Sequence, residues 1–207
     1  MRKLLLLLLI PLWSSGQPSQ NKEITKSVTL PDGVYLSFQQ LKDGKPGIPP
    51  AQLQIRTEKT VSVKQWFKTD SLFYINNFGK KNTISPDSVF AFANDGDVYI
   101  QRKGIGHKFT IVGPLCYFTE SYPVKNAPLS PVTIDHAKDV IPRMMDFETG
   151  EFHAYSISSM EEFLKGHDNE LYDEYMAIDN LKHKRQLLIR YIEKYNERHP
   201  LTTNTRL

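Results

Sequence analysis

Histidine is the residue type in this chain best suited to metal chemistry, and six histidines are present. A zinc hydrolase places two histidines one helical turn apart with a glutamate between them, because both imidazoles must face one ion. No two of the six histidines have that spacing. On a strand, Glu151 and His153 would share one face, and Asp135, His136 and Asp139 form a second loose cluster. Both sets are also consistent with polar surface residues on a hairpin, so no metal or other cofactor is predicted.

Motifs for nucleophilic catalysis and phosphate binding are also missing from the sequence. There is no Gly-x-Ser-x-Gly elbow, and the one Ser-x-x-Lys pattern, at residues 19–22, lies in a segment expected to be a flexible N-terminus. The Gly-Ile-Gly-His-Lys segment at residues 104–108 is not followed by a predicted helix, so it indicates a hairpin turn rather than a phosphate loop. Cys116 lies among apolar residues without a neighbouring cation, which predicts a buried structural thiol.

Aromatic residues near the middle of the chain provide a candidate ligand surface. Trp66 and Phe67, together with Phe73 and Tyr74, could form a platform on which sugar rings stack. The alternative is a hydrophobic cluster in the core, because aromatic side chains usually supply packing area. Carboxylates are too numerous for a glycosidase pair to be chosen without geometry.

The charges of the C-terminal part are segregated along the chain. Residues 161–174 are rich in acidic side chains, and residues 182–198 are rich in basic ones, including Lys184, Arg185 and Arg190. One interpretation is an antiparallel helical pair whose exposed charges complement each other while its apolar stripes cover a sheet. The other makes these three basic residues a docking face for an anionic partner, such as lipid A or a cell-surface polymer.

The N-terminal segment has the pattern of an export signal. A basic start at residues 2–3 precedes an apolar run at residues 4–12, and small residues follow at 14–16. The run is shorter than the roughly 18 residues needed to cross a bilayer, and no cysteine follows it directly. We therefore expect a cleaved product that begins at Gln17, carries no lipid anchor and resides in the periplasm or outside the cell.

The composition of the expected mature chain bounds its size and partners. Removal of residues 1–16 turns 26 basic residues into 24 against 23 acidic ones, so the formal charge falls from +3 to +1. Nucleic-acid binding usually requires a strongly basic surface, so no nucleic-acid partner is predicted. The remaining 191 residues suffice for one sizeable domain, and no transmembrane segment is predicted.

Residues 17–157 form the β-rich part of the predicted domain. The pattern predicts one hairpin from residues 24–30 and 34–38, and another from residues 88–92 and 98–102. The second hairpin turns at Asn94-Asp95-Gly96-Asp97, where glycine accepts a positive φ. Six further segments bring the number of strands to about eight to ten: residues 52–56, 71–75, 108–112, 115–119, 144–147 and 151–155.

Residues 158–199 have helical periodicity. Ser159 followed by Glu162 is a capping-box pattern, which predicts a short helix that begins at Met160 and ends near Gly166. Asp168 is the predicted cap of a second helix, whose apolar residues continue to residue 178.

The last predicted helix begins near residue 179 or 180 and ends before Pro200. Its apolar stripe consists of Leu181, Leu188, Tyr191, Ile192 and Tyr195. Residues 200–207 are then a flexible tail.

Several stretches of the chain combine into a recognisable pattern. They are Gly-Val-Tyr-Leu-Ser-Phe-Gln-Gln-Leu at residues 33–41, Val-Phe-Ala-Phe at 89–92 with Val-Tyr-Ile at 98–100, and Asp-Phe-Glu-Thr-Gly at 146–150. With these stretches, the mature chain resembles a group of secreted Bacteroidota proteins of unknown function. The resemblance covers most of the mature chain, agrees with export and implies no activity or catalytic residue.

The patterns together predict an α+β domain with an antiparallel, barrel-like or sandwich-like β body and two or three C-terminal helices. Every recognisable pattern specifies architecture and none specifies a reaction, so the predicted function is an exported, non-enzymatic binding or interaction module. An envelope polymer or a protein is the expected class of partner. The alternative is a hydrolase acting on a cell-envelope or extracellular polymer, which the expected compartment permits.

Overall fold

The structure, a computed structural model, describes residues 29–54, 72–123 and 138–201. Within these ranges the chain forms a seven-stranded antiparallel sheet, a separate three-stranded sheet and five α-helices, four of which follow the last strand. This architecture confirms the predicted α+β class with a β-rich body. The helical part has one helix more than the sequence predicted, because the last predicted helix is divided at Leu187.

Ten strands lie in the described ranges. The large sheet has the order β1-β5-β6-β7-β8-β9-β10, so neighbours in the chain are neighbours in the sheet except where β1 pairs with β5. The small sheet has the order β2-β3-β4. The strands are β1 Gly33–Tyr35, β2 Leu53–Gln54, β3 Leu72–Ile75, β4 Lys81–Ile84, β5 Ala91–Asn94, β6 Asp97–Arg102, β7 Ile105–Ile111, β8 Leu115–Pro123, β9 Lys138–Asp146 and β10 Phe152–Ala154.

The β5–β6 hairpin turns where the sequence predicted. Asn94 pairs with Asp97, and the two residues between them, Asp95 and Gly96, have φ values of 54° and 79°. Two consecutive positive φ values give a turn whose twist matches that of the flanking strands. The prediction for this hairpin is therefore confirmed.

The predicted strand at residues 34–38 is too long. Strand β1 ends at Tyr35, because Ser37 caps a short helix, α1, at Phe38–Lys42 by accepting a hydrogen bond from the backbone N–H of Gln40. Strand β1 pairs with β5. Its predicted partner at residues 24–30 lies almost entirely outside the described residues.

Other strand boundaries also differ from the prediction. The sequence did not predict β4, whose exposed and half-buried residues alternate at the edge of the small sheet. Strands β8 and β9 extend beyond the predicted segments, and they pair with each other along their whole length. Residues 103–104 form the β6–β7 turn, which agrees with a hairpin rather than a phosphate-binding loop.

The C-terminal helices begin and end at different residues from those predicted. Ser156, rather than Ser159, caps the first of them by accepting from the backbone N–H of Ser159, so this helix begins three residues early and runs through Gly166. Asp168 caps the next helix as predicted. The sequence pattern places Leu181 in the apolar stripe, but this residue is 69% exposed. The helices are α2 Ile157–His167, α3 Asn169–Met176, α4 Leu181–Gln186 and α5 Leu188–Arg198.

The large sheet is covered on both faces. Its inner face, which carries Tyr35, Ile100, Phe118 and Met145, contributes to one hydrophobic cluster with Leu41 of α1. Its outer face is covered at one end by the small sheet and at the other by α2 to α5. These helices bury Met160, Phe163, Leu164, Leu171, Tyr175, Leu188, Tyr191, Ile192 and Tyr195.

Candidate binding cleft

A recess of about 720 Å³ opens between α1, the β9–β10 turn and the C-terminal end of α5. Its lining combines apolar side chains with charged groups of both signs and two imidazoles. We call this recess the cleft. It is lined by Leu30, Lys42, Asp43, Gly44, Lys45, Pro114, Asp146, Phe147, Glu148, His167, Tyr195, His199, Pro200 and Leu201.

Asp146, the last residue of β9, is one of two carboxylates that organise the cleft. Its side chain is buried and accepts hydrogen bonds from the backbone N–H of Glu148 at 2.7 Å and from the Thr149 hydroxyl at 2.8 Å. Nε2 of His167 lies 3.9 Å from its Oδ2 atom. The side chain of Asp146 thus holds the β9–β10 turn closed while one oxygen faces an imidazole.

Asp168 is the second organising carboxylate, and it joins three helices. It caps α3 through the backbone N–H of Leu171, and its Oδ2 atom is 2.9 Å from Nε2 of His199 and 3.0 Å from Nε of Arg198. Burial disfavours the charged form, but these donors and charges outweigh burial and hold the pKa of Asp168 below its ordinary value. Asp168 is therefore an ionised structural group at neutral pH.

Tyr195 connects the two histidines of the cleft. Its ring centroid lies 4.5 Å from that of His199 and 4.9 Å from that of Phe163, and the Phe163 ring stacks on His167 at 4.2 Å. Burial, with the negative charges of Asp146 and Asp168 nearby, raises the pKa of Tyr195. Both imidazoles remain about 40% exposed, and each uses one ring nitrogen in a hydrogen bond: His167 Nδ1 lies 2.8 Å from the Phe163 carbonyl, and His199 Nε2 bonds to Asp168.

The opposite rim of the cleft is an ion pair that joins α1 to the β9–β10 turn. Nζ of Lys42 donates to the backbone carbonyl of Glu148 at 2.7 Å and to its carboxylate at 2.8 Å. The turn can approach α1 closely because residue 150 is glycine: a Cβ atom there would lie 2.7 Å from the Phe38 ring. Gly150 also has a φ of 80°, which disfavours other residues.

Asn196 holds α5 against the sheet and so positions Tyr195 and His199. Its amide accepts from the backbone N–H of Leu115 at 2.8 Å and donates to the carbonyl of Leu115 at 2.9 Å. A Cβ atom at Gly113 would lie 2.5 Å from the same amide, so the absence of a side chain there permits this contact.

The polar groups that line the cleft are carboxylates, lysines, imidazoles and one tyrosine hydroxyl. Among the described residues, its lining contains no serine, threonine or cysteine that the imidazoles could activate. The buried carboxylate of Asp146 accepts hydrogen bonds within the β9–β10 turn, and that of the neighbouring Asp168 caps α3. Within the same residues, no group of three His, Cys, Asp or Glu side chains could hold a metal ion.

The predicted metal candidates lie outside the cleft. Glu151 is exposed after the β9–β10 turn, and His153, on β10, is half-buried with its ring edge-on to Phe163. Asp139 is exposed near the start of β9. Asp135 and His136 lie outside the described residues.

The predicted basic face is not assembled as one exposed patch. Lys184 is 4% exposed; its Nζ is 2.7 Å from the Glu161 carboxylate and 4.7 Å from the centroid of the Tyr175 ring. Arg185 is exposed, and Arg190 lies 3.5 Å from Glu193 on the same helix. These contacts correspond to the interpretation of complementary helix charges.

The remaining candidates are dispersed. Trp66 and Phe67 lie outside the described residues, and Phe73 and Tyr74 are half-buried on β3, where Lys81 lies over the Phe73 ring. Cys116 is fully buried, and burial raises the pKa of its thiol to about 12. This placement agrees with the predicted structural thiol.

Sequence reasoning did not identify the cleft residues. The Asp-x-Glu-Thr-Gly segment indicated a turn, but nothing local linked Asp146 to His167, Tyr195 or His199, which come from other elements. No helix in the described ranges is long and apolar enough to span a membrane. Comparison of the chain with protein-family models, curated proteins and solved structures finds no match.

Proposed function

We propose that this protein is an exported, non-enzymatic binding module that takes a polyhydroxylated segment of an envelope polymer into the cleft. The proposal rests on the difference in burial among the polar groups in and beside the cleft. Asp146 and Asp168 are buried in structural hydrogen bonds. The histidines and the rim pair also make hydrogen bonds within the protein, but they are partly exposed and keep further polar atoms for a ligand. A binding site needs accessible donors and acceptors on a fixed frame, and this frame supplies them.

The balance of charges supports a neutral ligand. The lining carries two lysines, Lys42 and Lys45, against three carboxylates, those of Asp43, Asp146 and Glu148. Such a mixed surface does not favour a strongly charged ligand of either sign, whereas hydroxyl groups can both donate to carboxylates and accept from lysines. The size and open form of the cleft suit a segment of a polysaccharide chain.

Export is part of the proposal and rests on the signal-like pattern of residues 1–16. Intact-mass analysis of protein recovered from the periplasm or medium of a bacterial host tests it. We expect a product that begins at Gln17 or its cyclised form. Retention of Met1 in the exported fraction, or recovery of the protein only from the cytosol, would contradict export.

The binding function is tested by co-sedimentation with purified peptidoglycan and by titration with the polysaccharide portion of lipopolysaccharide, freed of lipid A. The double variant Lys42→Gln, Glu148→Gln removes the rim charges with little change in volume. Its control is Lys182→Gln, Glu162→Gln, which neutralises two exposed residues on α4 and α2. We expect binding by the wild type and the control, and about tenfold weaker binding by the rim variant, because charge-assisted hydrogen bonds are lost.

Two outcomes contradict the proposal in different ways. If the wild type binds neither polymer, the proposal of an envelope-polymer ligand is wrong. Time-dependent release of soluble saccharide or peptide fragments, detected by mass spectrometry, instead identifies a hydrolase.

A further inference from the structure

A cluster of charged and polar side chains lies on the inner face of the large sheet, away from the cleft. Arg102 of β6, Glu120 of β8 and Arg143 of β9 meet there, and His107 of β7 lies on the same face. We call these four residues the arginine cluster. Inside a sheet whose inner face is otherwise largely apolar, such a group requires a physical explanation.

The two arginines are incompletely paired. Glu120 is 2% exposed, and its Oε1 atom lies 3.3 Å from Nε of Arg102 and 3.7 Å from Nε of Arg143. The second distance is too long for a hydrogen bond, and Nε of Arg143 is buried without one. One carboxylate therefore stands against two guanidinium groups, which leaves the three side chains with a net charge of about +1 at neutral pH.

His107 adds a buried donor that has no acceptor. Its Nδ1 atom accepts from the backbone N–H of Ser121 at 3.3 Å, so the neutral ring carries its proton on Nε2. The side chain is 4% exposed, and Nε2 has no hydrogen-bond partner among the described residues. Burial lowers the pKa of His107, partly offset by the nearby Glu120. The imidazole is thus neutral and adds no charge.

Arg102 also borders a small recess of about 220 Å³. Its guanidinium lies 4.4 Å from the centroid of the Phe152 ring, which fixes one side of the group. The rest of the wall is mixed: Leu36, Val89 and Phe90 are apolar, and Asp87, Ser88 and Gln101 are polar. The cleft and this recess share no lining residue.

We propose that the recess and the arginine cluster form a binding site for a small monocarboxylate with an apolar body. Arg102, which lines the recess, would pair with the carboxylate, and Arg143 would add positive charge from its place beside the shared Glu120. The apolar body would lie against Phe90 and Phe152. Glu120 is buried, but the side chains of Arg102 and Arg143 are 38% and 33% exposed, so an anion can reach the guanidinium groups that one carboxylate leaves incompletely balanced. Arginine also suits planar, bidentate recognition of carboxylates.

The charges around the site disfavour a dianion. The arginine cluster carries one net positive charge, and Asp87 of the recess wall balances it, so a phosphate dianion would face the carboxylates of Glu120 and Asp87 without a matching excess of positive charge. Two exposed residues at the same end of the sheet, Lys103 and Asp139, carry opposite charges and leave the balance unchanged.

The proposal is tested by NMR titration of the full exported chain with phenylacetate, 4-methylpentanoate, phenylacetamide and inorganic phosphate. We expect saturable shifts of the Arg102 and Phe152 amides with both carboxylates. Binding of the uncharged amide is expected to be at least about tenfold weaker, because it cannot form the charge-assisted pair. Phosphate is expected to bind more weakly than phenylacetate.

Variants identify the residues responsible. Arg102→Gln and Arg143→Gln are each expected to weaken phenylacetate binding at least about tenfold, and Arg102→Lys to weaken it less. Arg190→Gln, an exposed arginine on α5, serves as the matched control and is expected to bind like the wild type. Spectra of each variant verify the fold.

Comparison of carboxylate with amide on the wild type decides the proposal even where an arginine variant fails to fold. Equal affinity for phenylacetate and phenylacetamide would overturn it. If neither phenylacetate nor 4-methylpentanoate gives saturable shifts up to about 10 mM, the proposal is also overturned. A specific site of this size is expected to bind with a Kd of about 1 mM or lower. Failure of polymer binding in the cleft leaves this result unaffected.

Discussion

At the scale of single residues, several buried polar side chains of this protein join one element to another. Asn196 is an example, because one amide satisfies both backbone groups of Leu115 on the neighbouring sheet. Asp168 similarly joins α3 to the end of α5. Such residues fix the relative positions of elements whose apolar contacts alone would allow sliding.

Replacement of Asn196 by alanine tests this role. The Asn196→Ala variant leaves a buried N–H and a buried carbonyl without partners, and each unsatisfied group costs about 1 to 3 kcal/mol. We expect a loss of about 2 to 5 kcal/mol in the free energy of unfolding, measured by urea denaturation followed by circular dichroism. Gln186→Ala, at an exposed position of α4, is the control and is expected to change stability by less than about 0.5 kcal/mol.

Asp168 gives the protein a defined acid sensitivity. Its pKa is lower in the folded chain than the ordinary value of 3.8, so the folded state binds the proton less tightly than the unfolded state. Its stabilising contribution is complete above that ordinary value and disappears as the pH falls through the lowered pKa. We expect Asp168→Asn to be less stable than the wild type at neutral pH, and the difference to shrink as the pH falls below 3.8.

Urea midpoints measured across this pH range check the Asp168 prediction. Asp173→Asn, at an exposed position of α3, is the matched control and is expected to follow the wild type. A constant difference between Asp168→Asn and the wild type at all pH values would show that the carboxylate is not the source of the acid sensitivity.

At the scale of elements, the β5–β6 hairpin depends on the conformation of Gly96. A Cβ atom there would meet nothing within 4 Å, so substitution is opposed only by the φ of 79°. We expect Gly96→Val to lose about 1 kcal/mol or more, because a β-branched residue is poorly accommodated at positive φ. Gly96→Asn is expected to lose less, since asparagine tolerates this region. Equal melting temperatures for the three proteins would contradict the assigned turn.

The pairing of α2 with α4 depends on one lysine in particular. Lys184 is buried beside Glu161 and the Tyr175 ring, whereas the neighbouring Arg185 is exposed. Lys184→Ala is expected to lose about 2 kcal/mol through the broken pair and lost packing. Arg185→Ala is expected to change stability by less than about 0.5 kcal/mol, and thermal unfolding of the two variants compares them directly.

At the scale of the whole molecule, the C-terminal helices and the large sheet share one hydrophobic cluster. Leu188 is buried at the start of α5 in this cluster, together with Leu115 of β8 and Met144 of β9. Leu188→Ala is therefore expected to lose about 2 to 5 kcal/mol, the range for a large buried aliphatic residue. Far-ultraviolet circular dichroism and NMR amide signals of β8 are expected to report one common transition. Separate transitions for helices and sheet would contradict shared packing.

Local patterns were sufficient for much of the secondary structure. The Asn-Asp-Gly-Asp turn and the Asp168 cap depend on residues within four positions of each other, so the sequence predicted both correctly. Competing local signals caused the errors in boundaries. Ser37, Ser156 and Ser159 can all cap helices, and the extended backbone at Ser37 and Ser156 decided which of them do so.

The sequence by itself determined the α+β class, the main hairpin and the buried character of Cys116, because periodicity and turn chemistry act over short stretches of chain. Tertiary structure alone decided that Asp146, His167 and His199 line one cleft, and that Arg102, Glu120 and Arg143 meet on the inner face of the sheet. Their encounter depends on strand register, sheet curvature and helix packing. These features depend on the burial of many side chains that are distant in the sequence, so no local spacing of residues predicts them.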